Sequence, residues 1–392
     1  MATRAKDATK RAGVFSHQLS SWRDAADGCF VAAWRDLGDN AAEPNIFTES
    51  WFLRPALDQF DAFGRVKLFS LWDRDRLCGL MPLSTQQRYG RWPMPHVQNW
   101  LHHNAFLGTP IVRAGYEDQF WTEMLACLDN DPGQSLFLHI NGLNIGGTVA
   151  RALENVCANT GRRFALVHRT ERAFLESGLT PDSYFENAVR AKKRKELRRQ
   201  KSRLAEMGAL TFSRDQSGTG IAAWTEEFLT LEQRGWKGRS GSALASAPAT
   251  RNMFIEVLAA ACVAGKLERL DLRLEGKPLA MLVNFISASG CFSFKTAFDE
   301  DYARFSPGVL LQIENLAMLD RPDIAWCDSC AAPGHPMIDS IWTGRRTIGR
   351  YSVAIGGAGR RAIFGAFLNT ELARNAVPVA TMEQVNGAGD DT

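Results

Sequence analysis

The sequence predicts an α/β protein of mixed sheets, arranged as two similar halves. Helical and strand-like patterns alternate along most of the chain, which favours layered α/β or α+β architecture. Leu71-Trp72-Asp73-Arg74-Asp75-Arg76-Leu77-Cys78-Gly79 has the same rhythm as Leu272-Arg273-Leu274-Glu275-Gly276-Lys277-Pro278-Leu279-Ala280. Each is a strand, a charged turn, a second strand and a small residue, and the two lie about half a chain apart. The length, 392 residues, is enough for two domain-sized cores.

The elements follow in order. Val66 to Trp72 and Leu77 to Leu83 are strands around the turn Asp73-Arg74-Asp75-Arg76, and a helix covers Tyr116 to Asp129. Ser135 to Ile140 is a short buried strand that leads through Asn141-Gly142 into a helix ending near Gly161. Phe164 to Leu175 is strand-like, and Pro181 to Met207 is one helix with Gly208 as its stop. Helices are expected at Ile221 to Arg234 and Pro248 to Val263. Leu267 to Leu274, Leu279 to Ser287 and Cys291 to Ala297 form a three-strand meander. Pro307 to Leu319 is a helix with proline in its first turn, followed by a strand at Ile324 to Cys327. The expected units are a flexible start (1–15), an N-terminal half (16–165), a C-terminal half (166–365), and a closing helix end with a flexible tail (366–392).

Composition narrows the function class. With 45% hydrophobic residues, 11 Trp and 23 Phe, the chain is not a disordered polymer. The richest apolar stretch, Pro278 to Phe294, is broken by Asn284, Ser287, Ser289 and Gly290, and the basic start has no apolar run of a secretory signal. A cytoplasmic location is therefore expected. A net charge of +3 argues against general attraction to nucleic acid, so any basic site is local. The eight cysteines mostly stand singly among apolar residues, as buried thiols in a reducing compartment do. Cys327-Asp328-Ser329-Cys330 lacks the second ligand pair that a zinc site needs, and no metal is expected.

Four places can carry chemistry. Phe292 to Glu300 is a strand ending in polar residues, and Ser306-Pro307-Gly308 then opens a helix. Helix starts leave amides without intrahelical partners and carry positive potential, so this one suits phosphate, although the same residues are also what any good helix start needs. Gln233 to Leu244 joins two helices with cations, Trp236 and three glycines; it suits an anionic ligand or is a flexible basic connector. His335, between glycine and proline in a loop, is placed for proton transfer near neutral pH, whereas His96, His102 and His103 read as packing or loop residues. Arg190 to Leu204 puts nine cations and one acid on one helix with a thin apolar stripe, a surface for phosphates or an anionic membrane, or a solvated helix face.

Taken together, these pieces resemble the CelD/BcsL-like acetyltransferase family of bacterial exopolysaccharide biosynthesis, part of the GNAT superfamily and related to Fem-type transferases. The resemblance runs through Lys193 to Arg199, Arg203 to Gly208, Leu231-Glu232, Trp236 to Leu244, Leu274 to Ala280, Lys295 to Glu300, Ser306 to Leu311, Asp328 to Ala331 and His335 to Trp342. It covers about residues 45–360 and is densest in the C-terminal half. In place of the superfamily's Q/R-x-x-G-x-G/A loop stands Ser306-Pro307-Gly308.

The resemblance implies tandem GNAT-like folds and an acyltransferase that uses acetyl-CoA as co-substrate, with a sugar, sugar nucleotide or polysaccharide precursor as acceptor. Ser306, Gly308, Val309 and Leu310 would hold the pyrophosphate. Asp299 or His335 would be the base, with Lys295 beside the reacting carbonyl. Trp236, Lys237, Arg239 and Asp328 would position the acceptor. The basic helix 190–203 would touch the inner membrane or the polysaccharide-synthesis machinery. Two other readings stay open: a Fem-like transferase taking aminoacyl groups from tRNA, and a catalytically silent component of a polysaccharide-synthesis complex.

Overall fold

The computed structural model describes residues 15–24 and 27–375; the expected chain ends at 1–14 and 376–392 lie outside the described residues. In chain order the first elements are β1 (Phe15–Ser21), α1 (Gly28–Asp39), α2 (Ser50–Phe60), β2 (Lys67–Asp73), β3 (Arg76–Gln86), β4 (His96–Asn99) and β5 (Ile111–Val112). α3 (Glu117–Asn130), β6 (Phe137–Asn144), α4 (Thr148–Asn159) and β7 (Phe164–Leu175) follow. Then come α5 (Pro181–Ala188), α6 (Ala191–Ala205), β8 (Leu210–Asp215), α7 (Ile221–Arg234), α8 (Trp236–Arg239) and α9 (Pro248–Val263). The chain continues through β9 (Leu267–Leu274), β10 (Lys277–Ser287), β11 (Gly290–Phe298), α10 (Pro307–Asn315) and β12 (Trp326–Asp328). It closes with β13 (Gly344–Ala354) and α11 (Ala358–Asn375).

All thirteen strands join one mixed sheet in the order β1-β2-β3-β4-β6-β13-β7-β12-β11-β10-β9-β8, with β5 on the flank of β3. The hairpin echo is real. β2, β3 and β4 form an antiparallel run, α3 crosses over, and β6 lies parallel to β4. β9, β10 and β11 repeat this, with α10 crossing over and β12 parallel to β11. The two runs then exchange strands. β7, which follows β6 and α4, pairs with β12, while β13, which follows β12, pairs with β6. β7 and β13 pair with each other along ten residue positions and stitch the runs together. The division expected at 165/166 falls inside β7.

Aromatic packing locks the runs a second time. Phe47 and Phe52, beside and on α2, meet Phe285, Phe292 and Phe294 of β10 and β11 edge to face or tilted, at centroid distances of 5.7–6.2 Å. Phe52, Phe228, Phe254 and Phe285 are fully buried in this cluster. Each such ring contributes about 2–3 kcal/mol by removal from water. On the other face, Phe120, Trp121 and Met124 of α3 and Leu153 of α4 cover β2, β3 and β6.

The single helix expected over 181–207 is two. Thr180 caps α5, with Pro181 in its first turn, but Val189 and Arg190 are extended and α6 starts afresh. The Arg194 guanidinium donates to the carbonyls of Glu186 and Val189, satisfying carbonyls that the end of α5 leaves open. The helix expected to reach Leu319 stays α-helical to Asn315 and tightens into a 3-10 turn over Leu316–Asp320. Among the described residues no helix is long and apolar enough to cross a membrane, and no His, Cys, Asp and Glu cluster has the geometry to hold a metal.

Candidate active site

The sheet opens at one point in the C-terminal run. β11 and β12 are paired from Gly290/Trp326 to Phe292/Asp328; there β12 ends while β11 runs on to Phe298. α10 makes the crossover between the two strands. The ladder of β11 with β10 slips between Val283 and Asn284, so that Phe294 is an extra residue on β11. Such a bulge re-aims the side chains beside it. Thr296 accepts from Gln312 of α10 on one face, whereas Phe294 and Lys295 both look to the opposite face.

Lys295 is mostly buried there. Its ammonium lies 5.4 Å from the Phe106 ring and 5.8 Å from the Phe294 ring, with no carboxylate or carbonyl partner among the described residues. Burial, reinforced by the charge of Lys237, pushes its pKa down to about 8. Lys237 is anchored by Glu232, whose carboxylate accepts its Nζ at 2.8 Å, and by the Thr296 carbonyl at 3.2 Å. Glu232 is itself buried and also accepts the Leu244 amide, which pins the loop after α8. His335 is half-buried in the loop after β12, with a buried Nδ1 that has no partner among the described residues. Burial, and then Lys237, lower its pKa, with Asp339 opposing, so the ring is neutral at pH 7. Lys295, Lys237 and His335 thus share one electrostatic neighbourhood. His102 faces it from the N-terminal run, stacked with Phe52 and Phe60 and held neutral by burial at a pKa of about 3.

The start of α10 is built differently from the expected cap. Ser306 has left-handed backbone (φ 52°), and its side chain caps no amide. For a residue with a Cβ this conformation costs about 1 kcal/mol or more. The Leu310 amide already donates to the Ser306 carbonyl at 3.0 Å. Pro307 has no N–H, so the amides of Gly308 and Val309 are the pair left without an acceptor among the described residues. Met337, from the His335 loop, closes over this turn: a Cβ added at Gly308 would stand 2.8 Å from its Sδ.

Other expected site residues lie elsewhere or face away. The Asp299 carboxylate binds Lys277 Nζ at 2.7 Å and accepts the Asp301 amide, so it fixes the Glu300–Phe305 turn and does not meet Lys295. Asp328 is fully buried, with Arg172 and Arg346 on one oxygen at 2.7 and 2.8 Å and the Cys330 amide on the other. Arg346 stacks between Phe174 and Trp326, 4.3 and 4.2 Å from their rings. This cluster ties β7, β12 and β13 together. Cys327 and Cys330 are buried free thiols whose pKa values burial raises. Trp236 is 52% exposed, and Arg239 pairs with Glu300 at 2.6 Å. Glu300 also accepts the Trp236 amide and so tethers α8 to the end of β11. Sequence reasoning gave Glu232 and Glu300 no role of their own and passed over Phe106. An acid on the apolar side of α7, one turn before a Gly-Trp-Lys loop, is the signal that would have assigned Glu232 its role.

The corresponding opening in the N-terminal run is closed. Where β4 and β6 part, Asn99 donates to the carbonyls of Gly108 and Asn141 and accepts the Asn141 amide. The first turn of α3 carries Glu117 and Asp118, which repel a phosphate.

Residues 191–333 match the acetyltransferase (GNAT) domain family. Among solved structures, FemX superposes with a TM-score of 0.54 at 9% identity, over 86% of this chain and 98% of FemX. The C-terminal domain of a lysylphosphatidylglycerol synthetase candidate from Agrobacterium fabrum gives 0.49 at 15% identity, over 86% and 95%. A tandem GNAT protein from the clavulanic acid biosynthesis pathway gives 0.41 at 13% identity, over 88% and 99%. A search of curated proteins gives no match. At 9% identity the FemX likeness is one of fold. The matched segment spans β11, its bulge, α10 and β12; residues 191–333 match a GNAT acetyltransferase domain within a mixed α/β fold that FemX shares, and the chain is an acyltransferase.

Proposed function

We propose that the protein transfers an acyl group, acetyl in the first instance, from acyl-CoA to a hydroxyl or amine of a sugar destined for bacterial surface polysaccharide, as the CelD/BcsL-like resemblance implies. The observation that carries the acyl-CoA part is the coincidence, inside the matched segment, of the parted strands β11 and β12 with the two open amides of Gly308 and Val309. Those amides fit a pyrophosphate, and the N-terminal counterpart, with acids in their place, does not. One acyl-CoA site per chain follows.

The thioester supplies an activated carbonyl. The chain then supplies three things. Gly308 and Val309 hold the donor by its pyrophosphate. Lys295 and Lys237 stand at the bulge, where they orient an anionic or hydroxylated acceptor and stabilise charge on the carbonyl oxygen. His335, neutral at pH 7 with an unpaired Nδ1, takes the proton from the acceptor as its oxygen or nitrogen bonds to the carbonyl carbon and the C–S bond breaks. The thiolate then takes up a proton. Asp299, engaged by Lys277, is set aside as the base. The test is radiolabelled acetyl-CoA offered with cell-surface sugar precursors. Label in an acetylated sugar supports the reading, and label recovered only as free acetate or unreacted donor contradicts it.

A further inference from the structure

The face of the sheet that α10 covers carries a row of polar side chains where hydrocarbon would pack as well. Glu268 of β9, Asn284 of β10, Ser293 of β11, and Gln312 and Asn315 of α10 are all buried there. They form one chain of hydrogen bonds. Asn284 Nδ2 donates to Glu268 Oε2 at 2.9 Å and to Asn315 Oδ1 at 2.8 Å. Asn315 Nδ2 donates to Gln312 Oε1 at 3.3 Å. Gln312 Nε2 donates in turn to the hydroxyls of Ser293 and Thr296, each at 3.3 Å.

The direction of this chain is fixed at its Glu268 end. Burial works against the charge of that carboxylate, but Arg214 and the hydrogen bonds from Asn284 and Gln216 outweigh it and hold the pKa below the usual carboxylate range. An ionised carboxylate only accepts, so Asn284 turns its nitrogen toward it. Asn315 then answers Asn284 with its oxygen and presents its nitrogen to Gln312, whose own nitrogen is left for the two hydroxyls. In a regular strand Ser293 and Thr296 would face opposite sides of the sheet. They share the α10 face because the bulge sets Phe294 and Lys295 together on the other. Gln312 therefore bonds to β11 on both sides of the bulge. Thr296 also offers its carbonyl to Lys237 Nζ at 3.2 Å, so one strand residue links Gln312 to both cations of the cleft.

We propose that Gln312 is a positioning residue: its amide, oriented by Glu268 through Asn284 and Asn315, clips Ser293 and Thr296 across the bulge and so holds Lys295 and Lys237 at the acyl-transfer cleft. The chemistry of that cleft rests on the acyl-CoA reading above; the clip does not. A buried polar chain is a poor way to stabilise a fold, because apolar side chains of similar volume do as well or better. Its use here is geometric. Hydrocarbon packed against β11 would not tell the bulged register from the regular one, in which Lys295 no longer faces the cleft. Two hydroxyls that must both reach one amide make that distinction.

The test compares Gln312→Met, which keeps the length and loses the donor, with Thr296→Val, which keeps the shape and loses the acceptor, and Thr296→Ser, which keeps the acceptor. Melting temperatures show which of these full-length variants are folded. The titration midpoint of Lys295 is read from the pH dependence of its labelling by acetic anhydride, followed by peptide mass spectrometry. Release of CoA from acetyl-CoA gives the rate, and calorimetry the affinity for acetyl-CoA. The wild-type midpoint is expected at about 8. In Gln312→Met and Thr296→Val it is expected to rise toward 10.5, because the unclipped bulge lets the ammonium reach water. Lys237, Glu232, Cys330 and His102, the groups that act on its charge or feel it, are unaltered in all three variants. CoA release is expected to fall by about a hundredfold in the same two variants, the scale of a misplacement of about 1 Å, with unchanged affinity for acetyl-CoA. Thr296→Ser stays close to the wild type in both readouts. A wild-type midpoint near 10.5, a folded Gln312→Met or Thr296→Val that keeps the wild-type midpoint or rate, or a Thr296→Ser that behaves like Thr296→Val overturns the inference and leaves the acyl-CoA reading standing. Failure of the wild type to bind acetyl-CoA overturns that reading, and the midpoints alone then decide whether Gln312 holds Lys295.

Discussion

Lys295→Met replaces a mostly buried ammonium by an apolar chain of similar length. The charge of Lys295 is a burden on the fold: its pKa falls from 10.5 to about 8 because burial and Lys237 disfavour the charged form. At about 1.4 kcal/mol per tenfold, this corresponds to ~3 kcal/mol at pH 7. Allowing for the part of the side chain that water still reaches, the figure is ~2 kcal/mol. The sign follows from proton counts. Between pH 8 and 10.5 the unfolded chain holds more of this proton than the folded one, so raising the pH through that window stabilises the wild type. The Met variant is therefore expected to be ~2 kcal/mol more stable at pH 7, with the gap shrinking to ~1 kcal/mol or less by pH 10. Urea denaturation of both proteins at the two pH values measures it, and release of CoA from acetyl-CoA in the same preparations is expected to fall by about a hundredfold. A variant less stable than wild type at pH 7, or a gap that does not change with pH, refutes the argument that Lys295 is an unpaired buried charge kept for chemistry.

Three further outcomes are expected. His335→Asn should lower the rate of acyl transfer by about a hundredfold, the scale of losing a general base, and should remove a wild-type acid limb that lies below the ordinary histidine pKa; a full rate would release His335 from the role. Asp299→Asn should leave turnover per folded molecule nearly intact and lower stability by about 1 kcal/mol or less, because it loses a partly exposed pair with Lys277; a hundredfold fall in turnover would return Asp299 to the chemistry. Asp328→Asn should cost about 3–5 kcal/mol, read by denaturation, because it strands Arg172 and Arg346 at a buried junction; a loss under 1 kcal/mol would show that the triad does not hold the strands together.

What the sequence discloses depends on how local the cause is. β9, β10, α7 and α9 are legible because alternation, helical spacing, the Glu275-Gly276 turn and Pro248 fix them within a few residues. β13 is not: no element is expected over Gly344–Ala354, where Arg345, Arg346 and Arg350 break the apolar alternation of a buried strand. Its place in mid-sheet is made possible by Asp328, Phe174 and Trp326, which are distant in sequence. The strand exchange is likewise a matter of pairing and leaves no pattern in either strand alone. Within the site, Lys295 and the Ser306-Pro307-Gly308 turn are visible as residue types in a suggestive order. The bulge that turns Lys295 away from α10 depends on the register with β10 and cannot be seen in one strand. Asp299 illustrates the same limit: its acceptor role looked chemical until the hairpin brought Lys277 across to it.

The central claim is a single acyl-CoA site at the start of α10. Calorimetric titration of acetyl-CoA into the wild type and into Gly308→Val, with melting temperatures to show that both are folded, tests it most directly. The valine side chain would meet Met337 and Phe298 and crowd the Gly308 and Val309 amides. The account expects one site per chain in the wild type and loss of at least about tenfold in affinity in the variant. Two sites per chain, or unchanged affinity in a folded Gly308→Val protein, would contradict it.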